Sequence, residues 1–313
     1  MHSREELEEM QRLPLQRKIQ ITTARIIEWY QHYDGKVYVA FSGGKDSTVL
    51  LDIVRRIYPD VPAVFSDTGL EFPEVREFVK SCENVTIVRP EMNFRKVIEV
   101  YGYPVVSKRV ANTVEYGHKP GSFRWKELHG EIMRSNGTPS EFNCEKWCYL
   151  LDAPFKVSSR CCTIMKKQPM KKYSKETGRV PIIATMANES RSRRATWLRM
   201  GCNAFSGKKP SSQPMSFWTE EDVLEYLYTY QVPYASVYGE IVRTDRGGGW
   251  TTTGEKRTGC VFCAFGAHLE KAPNRFQRLK ITHPKLWDYC MRPWEEHGLG
   301  MRQVLEYIGI PVE

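Results

Sequence analysis

Apolar residues recur in the first two thirds of the chain as short continuous runs that alternate with segments of helical spacing. Lys36–Phe41 is β-branched and aromatic, and the segment Asp46–Tyr58 that follows has helical spacing. Val61–Phe65 and Val85–Val88 indicate two further strands, separated by a helix over about Pro73–Cys82. This βαβαβ order predicts a parallel sheet with right-handed crossovers, and therefore an α/β fold.

The same pattern divides the chain into segments. Apolar positions over residues 5–32 have helical spacing, Val180–Ala184 indicates another buried strand, and Thr219 is placed to cap a helix that runs to Tyr230. Residues 243–257 are rich in Gly and Thr and indicate a mobile loop. We therefore predict an N-terminal helix (1–34), a main α/β domain (35–235) with an irregular polar insertion at about 103–160, and a cysteine-rich helical C-terminal region (236–313).

Composition narrows the class of protein without naming a function. The chain has 313 residues, of which 41% are hydrophobic and 27% charged, as in ordinary globular enzymes. No apolar stretch is long enough to span a bilayer and the amino terminus is charged, so we expect a cytoplasmic protein with no membrane partner. The formal net charge of +9 favours anionic partners such as nucleotides or nucleic acid, but it does not choose between them.

Ser42-Gly43-Gly44-Lys45-Asp46-Ser47 stands between the predicted first strand and its helix. Glycines let a backbone approach a ligand closely, and amide groups at a helix N-terminus together with a lysine can bind phosphate oxygens. The spacing differs from that of Walker P-loops, so γ-phosphate hydrolysis is not implied. A tight turn without a ligand is the alternative interpretation. We refer to residues 42–47 as the phosphate loop.

Two further segments are candidates for the same site. Asp67 and Thr68 follow the second predicted strand, at the edge where open α/β sheets bind ligands, although Asp67 could instead cap a helix. Arg191, Arg193 and Arg194 form a basic cluster suited to phosphate or sulfate oxygens, with a solvated helix face as the alternative.

Nine cysteines in a chain expected to be reduced indicate metal or redox chemistry rather than disulfides. Cys161-Cys162 and Cys260-x-x-Cys263 suit an iron–sulfur cluster or a structural zinc, and four unconnected thiols remain an alternative. Cys144 and Cys148 form a weaker pair for which a second metal site, a redox pair and coincidence all stay open. Cys290 is interpreted as a single core or surface thiol.

The ordered motifs resemble a known family over about residues 36–265. The SGGKDS sequence is similar to the signature of the PP-loop ATP pyrophosphatase superfamily, and the chain more narrowly resembles the phosphoadenosine phosphosulfate (PAPS) reductase family. Asp67-Thr68-Gly69, Asn188-Glu189-Ser190 with Arg193, and Trp218–Val223 correspond to three further elements of that family. The paired cysteines with Cys260 and Cys263 are similar to the four-iron, four-sulfur ligands of its adenylylsulfate reductase branch.

The resemblance implies a parallel-sheet adenine nucleotide α-hydrolase-like domain with a defined set of site residues. It implies catalytic roles for Lys45, Asp46 and Arg193, and metal binding by Cys161, Cys162, Cys260 and Cys263, with zinc as the alternative to a cluster. The implied cofactors are ATP, Mg²⁺ and a 4Fe-4S cluster. The implied nucleotide-binding residues are Ser42, Gly43, Gly44, Lys45, Asp46, Ser47, Asp67, Thr68, Glu189 and Ser190.

Two departures from the family bear on the reaction. Sulfonucleotide reductases normally lack a lysine at the position of Lys45, and they carry a nucleophilic cysteine where this chain has His297. The resemblance therefore favours cleavage of ATP to AMP and pyrophosphate, which activates an acceptor such as tRNA or DNA for sulfur supplied by a donor such as a cysteine desulfurase. A sulfonucleotide reductase that uses another thiol, such as Cys290, and a non-enzymatic nucleotide- and cluster-binding subunit are the two alternatives.

Overall fold

The computed structural model describes residues 2–206, 210–244 and 248–313. The helices span Arg4–Arg12 (α1), Leu15–His32 (α2), Lys45–Ile57 (α3), Pro73–Ser81 (α4), Phe94–Tyr101 (α5), Lys108–Tyr116 (α6), Phe123–Leu128 (α7), Gln168–Thr177 (α8), Arg191–Met200 (α9), Glu220–Thr229 (α10), Arg275–Thr282 (α11), Pro284–Met291 (α12) and Met301–Tyr307 (α13). The strands span Val37–Ala40 (β1), Ala63–Ser66 (β2), Val85–Val88 (β3), Val105–Val106 (β4), Val180–Ile183 (β5), Asn203–Ala204 (β6), Ser211–Ser212 (β7), Ile241–Arg243 (β8), Trp250–Thr252 (β9) and Ala264–Phe265 (β10).

The chain divides into two compact units, and each unit is built from segments that are distant from one another in sequence. The first unit comprises Met1–Asp67, Glu71–Arg89 and Pro169–Thr258, and the second comprises Thr68–Leu70, Pro90–Gln168 and Gly259–Glu313. These units do not follow the linear boundaries that we predicted at 35 and 236, because contacts within each unit join segments separated by tens of residues.

The first unit contains a six-stranded sheet with the order β3-β2-β1-β5-β7-β6. All neighbours in it are parallel except β6 and β7, which are antiparallel. The register of β1 is fixed on both sides, since Val39 lies opposite Ala63 of β2 and opposite Ile182 of β5. This mostly parallel sheet with its crossover helices confirms the predicted α/β class.

Alternation along β1 assigns its two faces. Val37, Val39 and Phe41 pack into a core that includes Trp29 of α2 and Leu50 of α3. Tyr38 points to the opposite face and is also buried. Its hydroxyl lies 3.0 Å from the Ser174 hydroxyl of α8. Helices therefore cover both faces of the sheet, which leaves the carboxyl ends of the strands for a ligand.

The predicted N-terminal helix consists of two helices. Leu13 has extended backbone dihedrals (φ −61°, ψ 146°) because it precedes Pro14, and α2 begins immediately after that proline. Helical periodicity continues across the break, which explains why the sequence pattern suggested one element. In the described ranges, no helix has both the length and the apolar composition needed to cross a bilayer.

The segment predicted as an irregular insertion contains two short helices, α6 and α7. The hydroxyl of Ser107 accepts the amide N–H of Val110, and the hydroxyl of Ser122 accepts that of Trp125, so each serine caps one helix. Helices of this length cover only two turns or so, and their periodicity is too brief to stand out among polar residues. The Gly- and Thr-rich segment also has order, since β8 and β9 pair antiparallel, while positions 245–247 of the predicted loop lie outside the described residues.

Candidate nucleotide site

The strand order places the phosphate loop at a topological switch point. The chain runs from β1 to β2 and β3 in one direction and then returns to β5 on the other side of β1. Loops that leave the carboxyl ends of β1 and β5 therefore diverge, and such a crevice is where open α/β sheets bind ligands. Residues 42–47 follow β1, and the segment Ala187–Ser190 follows β5.

The phosphate loop is ordered by its own serines. The amide N–H of Ser42 donates to the Ser47 hydroxyl over 3.1 Å, and the Ser47 hydroxyl donates to the Gly44 carbonyl over 2.9 Å. The two serine hydroxyls are 3.0 Å apart. Because these bonds close the loop on itself, its shape does not depend on a ligand, and a phosphate would enter a preformed turn.

Gly43 shows why this loop requires glycine. Its φ of +70° lies in the left-handed region, and a Cβ at this position would meet side-chain atoms of Val79 and Val75 at 2.6 and 2.7 Å. A residue with a side chain would therefore be strained and would displace α4. The backbone at Gly43 therefore packs directly against α4.

Lys45 is the buried cation of the site. Its ammonium lies 2.8 Å from a carboxylate oxygen of Glu220 and donates to the Lys256 carbonyl over 2.6 Å. Its backbone N–H, which we expected to face phosphate, donates instead to the Tyr238 hydroxyl over 3.1 Å. Since the Glu220 carboxylate is paired with the Lys45 ammonium, an incoming phosphate would have to replace that carboxylate.

Asp46 and Arg193 form the second half of the site. Burial raises the pKa of Asp46 above its ordinary value, against the pull of the Lys45, Arg257 and Arg193 cations and with a further push from Glu220. One carboxylate oxygen of Asp46 is buried and has no hydrogen-bond partner within the described ranges. Such an orphaned oxygen fits a divalent cation, because oxygen ligands suit Mg²⁺ and a cation would relieve the cost of burying the charge.

The segment after β5 holds Arg193 in place. The Arg193 guanidinium forms an ion pair with Glu189, whose carboxylate also accepts the Met186 amide over 2.9 Å. The Ser190 hydroxyl accepts the Arg193 amide and caps α9. Burial lowers the pKa of Arg193, and the Asp46 charge counteracts this effect. Arg191 and Arg194 are exposed, so of the three clustered arginines it is Arg193 whose charge acts on Asp46.

Asp67 and Thr68 follow β2, as predicted. A carboxylate oxygen of Asp67 accepts from Arg76 over 3.1 Å and from Arg89 over 3.5 Å, while its other oxygen is buried without a partner in the described residues. The Thr68 hydroxyl accepts the Leu70 amide over 3.2 Å. Their nucleotide-binding roles stay predictions, since none of these bonds joins them to the phosphate loop.

The second unit brings the four predicted metal-binding cysteines to one pocket. Its walls combine four thiols and a lysine with apolar side chains, namely Cys161, Cys162, Cys260, Cys263, Lys166, Leu70, Phe94, Pro104 and Met165. The sulfurs of Cys161 and Cys162 are 4.0 Å apart. A π-helical segment, Thr163–Lys167, follows the pair directly and leads into α8. In the part of the chain that the structure describes, no group of three or more His, Cys, Asp or Glu is arranged to hold a single metal ion.

The pKa values of the two adjacent thiols are shifted in opposite directions. A hydrogen bond from Cys161, together with the charges of Lys108 and Lys166, lowers the pKa of Cys162 below its ordinary value. The same bond and burial raise the pKa of Cys161, and burial raises that of Cys263 to about 11. Four thiols with apolar walls and two nearby cations fit the donor set of an anionic iron–sulfur cluster.

Three of the cysteines outside the pocket differ in accessibility. Cys144 is buried, and the Cys148 sulfur lies 3.6 Å from a ring nitrogen of His129. Cys290 has no exposed surface, and burial raises its pKa, so it is a protonated thiol at neutral pH. A buried neutral thiol is a poor nucleophile, which disfavours Cys290 in the role of a reductase cysteine.

Comparison with known proteins identifies the family. The model described as "Phosphoadenosine phosphosulfate reductase domain" matches residues 36–114 and 138–263. The chain therefore belongs to the PAPS reductase domain family, within the PP-loop superfamily. This finding confirms the resemblance seen in the motifs.

Individual relatives are distant. The chain is 25% identical to an uncharacterized protein of Methanocaldococcus jannaschii over 87% of this chain and 45% of that one, so it spans about half the length of this relative. It is 24% identical to an adenosine 5'-phosphosulfate reductase of Staphylococcus epidermidis, over 69% of this chain and 70% of that one. A crystal structure of PAPS reductase from Candida auris is 15% identical, with a TM-score of 0.39, and covers 75% of this chain and 91% of its own.

Several contacts of the site were not predicted from the sequence. Tyr238, the Lys256 carbonyl and Glu220 all contact Lys45 from positions about 175 to 210 residues away. The Tyr238 hydroxyl also bonds the Thr258 hydroxyl over 2.6 Å. Tyr238 and Thr258 flank the Gly- and Thr-rich segment, whose composition was the one sequence feature that pointed to this region. The contacts of Tyr238 with Lys45 and with Thr258 depend on tertiary packing.

Proposed function

We propose that this chain binds ATP at the phosphate loop and cleaves it between the α and β phosphates to activate an acceptor for sulfur transfer. An acceptor oxygen attacks the α-phosphorus, the bond to the bridging oxygen of pyrophosphate breaks, and the acceptor becomes adenylated. A sulfur nucleophile then displaces AMP. The observation that carries the proposal is the buried Lys45 ammonium at the switch point, since a fixed cation there suits a polyphosphate.

Each residue has a defined task in this proposal. The Lys45 ammonium stabilises the charge that develops on pyrophosphate, and Arg193 binds a phosphate oxygen. The orphaned oxygen of Asp46 is the candidate ligand for magnesium. When bound, magnesium neutralises phosphate charge and orients the leaving group. Glu189 positions Arg193 through their ion pair.

The four pocket cysteines are proposed to hold a 4Fe-4S cluster, with zinc as the alternative. When bound, such a cluster supplies iron and sulfide sites for electron or sulfur chemistry. The hydrogen bond from Cys161 and the nearby lysines lower the pKa of Cys162, which favours the thiolate form that metals bind. A cytoplasmic location, a tRNA or DNA acceptor and a sulfur donor such as a cysteine desulfurase remain parts of the proposal.

A sulfonucleotide reductase is the second candidate. It is supported by the likeness to an adenosine 5'-phosphosulfate reductase over 69% of this chain. The full burial of Cys290 argues against a thiol attack from that position. A non-enzymatic nucleotide- and cluster-binding subunit is the third candidate.

The test is a three-way product assay on anaerobically purified protein. MgATP with tRNA or DNA is assayed for AMP and pyrophosphate, and adenylylsulfate and PAPS with a dithiol are assayed for sulfite. Pyrophosphate release supports the ATP reaction, sulfite release supports the reductase, and neither product supports the binding subunit.

The matched variants are Lys45→Ala and Lys36→Ala. Lys36 is exposed, just before β1 and outside the phosphate loop. Loss of a charged hydrogen bond costs about 1.5–3 kcal/mol, so Lys45→Ala should weaken MgATP binding by about 10- to 100-fold. Lys36→Ala should bind as wild type does, and an unchanged affinity in Lys45→Ala would overturn the phosphate-loop assignment.

A further inference from the structure

Three exposed aromatic rings in the second unit each lie against an arginine. Phe123 is 61% exposed, Phe142 56% and Tyr116 50%. The guanidinium of Arg124 lies 5.7 Å from the centre of the Phe123 ring, that of Arg109 lies 5.5 Å from Phe142, and that of Arg160 lies 5.7 Å from Tyr116. Each ring therefore presents an exposed apolar surface beside a cation.

A buried carboxylate fixes two of these arginines. One oxygen of Glu127 accepts from Arg109 over 2.9 Å, and the other accepts from Arg124 over 2.7 Å. Glu127 is 2% exposed and also accepts the Thr113 hydroxyl. Arg109 in addition donates to the Phe142 carbonyl. The two phenyl rings are thus tied to a single anchor, and we call Phe123, Phe142, Arg109 and Arg124 the ring platform.

The charge of the platform favours an anionic partner. Glu127 carries one negative charge against two guanidinium groups, which leaves a positive excess at the rings. Lys119 and Lys126 are exposed nearby in sequence, and in the part of the chain described neither forms an ion pair. Residues 108–142 contain six Lys or Arg against four Asp or Glu. Phosphate groups would satisfy this excess.

We propose that the ring platform binds unpaired bases of a single-stranded nucleic acid, with Phe123 and Phe142 stacking on bases. The side chains of Arg109 and Arg124 are 40% and 37% exposed beside these rings, so an apolar protein surface would desolvate guanidinium groups without offering them an anion. A nucleotide strand supplies both flat π faces and phosphates. This inference rests on the nucleic-acid acceptor of the proposed function and names the surface that would hold it.

The experiment measures anisotropy of a fluorescein-labelled single-stranded RNA, with single-stranded DNA, tRNA and a matched duplex as further probes. Each stacked base is worth about 1–3 kcal/mol, so Phe123→Ala or Phe142→Ala should weaken binding about 10-fold and the double variant about 100-fold. Phe123→Tyr with Phe142→Trp retains both rings and should retain binding. Circular dichroism and thermal unfolding verify that the variants fold.

The control is the double variant Leu269→Ala/Ile281→Ala. These side chains are 78% and 79% exposed in the same unit and lie away from the platform residues in sequence. The control should bind as wild type does. Affinity that is unchanged in the phenylalanine double variant would overturn the inference, as would equal affinity for the duplex, no binding by wild type, or a change in oligomeric state that marks the rings as a self-interface.

The same preparations are titrated with MgATP, so that the two proposals can fail separately. MgATP binding without any nucleic-acid binding overturns the ring platform and leaves the nucleotide site. Platform-dependent RNA binding without MgATP binding supports the platform and overturns the ATP reaction.

Discussion

The carboxylate of Glu220 lies 2.8 Å from the ammonium of Lys45, so a residue at the start of α10 neutralises the buried cation of the phosphate loop. Lys45 is almost fully buried, whereas the Glu220 side chain is 44% exposed. Glu220 therefore occupies the position of an anion and competes with phosphate for Lys45.

Replacing Glu220 with Gln should tighten MgATP binding. A partly exposed ion pair contributes up to about 1 kcal/mol, so removal of the competing charge should lower the Kd by up to about 5-fold. Isothermal titration calorimetry measures the change. Glu225→Gln, on the same helix but with no ion pair in the described residues, is the control. Weaker binding by Glu220→Gln would show that Glu220 contacts the ligand directly.

Asp46→Asn should raise thermal stability while it lowers activity. Burial raises the pKa of Asp46 in the folded protein above its value in the unfolded chain. The free energy of unfolding therefore falls as pH rises from the unfolded-state pKa through the folded-state pKa, and it stays lowered at neutral pH. The Asn variant lacks this titration and should have a higher Tm than wild type at pH 7, with a smaller difference at pH 3.

The same Asp46→Asn variant should lose magnesium-dependent pyrophosphate release by about 10- to 100-fold, because an amide is a weaker ligand for a hard cation. Thermal unfolding across pH and a magnesium titration of activity are the two measurements. A variant that keeps full activity with an unchanged magnesium requirement would remove Asp46 from the magnesium site.

The buried pair Lys18–Asp222 should be essential for stability. The two charged atoms are 2.6 Å apart, and Lys18 also donates to the Gln11 carbonyl. Asp222 accepts the Thr219 amide over 2.7 Å and so holds the start of α10, where Glu220 lies. Lys18→Met leaves Asp222 buried without its partner and should cost about 3–5 kcal/mol in urea unfolding.

Two further variants serve as controls for that measurement. Lys18→Met/Asp222→Asn removes both charges and should recover part of the loss. Arg12→Ala breaks the exposed Arg12–Glu8 pair and should change the free energy of unfolding by less than about 0.5 kcal/mol. Equal losses in Lys18→Met and Arg12→Ala would contradict the burial argument.

Cys260→Ser should abolish bound iron and acid-labile sulfide. The hydroxyl is a poor ligand for iron, and the three remaining pocket cysteines cannot complete a four-thiolate set. Metal and sulfide analysis after anaerobic purification is the measurement. Cys82→Ser, in which the replaced thiol donates to the Phe78 carbonyl on α4, is the control and should retain both. Zinc without sulfide in wild type would replace the cluster by a zinc site.

Local patterns were sufficient for much of the fold. The strand and helix around the phosphate loop, the third strand and the Thr219 cap are found within one or two residues of their predicted bounds, because short-range periodicity and capping act within a few residues. The ordered motifs also indicated the family that the comparison confirms. The capped helices α6 and α7 were missed because two turns among polar residues carry little periodic signal.

By itself the sequence determined the class of fold, the loop that faces the switch point and the residue types available for chemistry. The tertiary structure decided what those residues contact: Glu220 and the Lys256 carbonyl on Lys45, the shared pocket of four cysteines, and the burial of Cys290. The physical reason is that strand order and packing join residues more than one hundred positions apart. Whether a side chain is charged, paired or reachable depends on these distant neighbours.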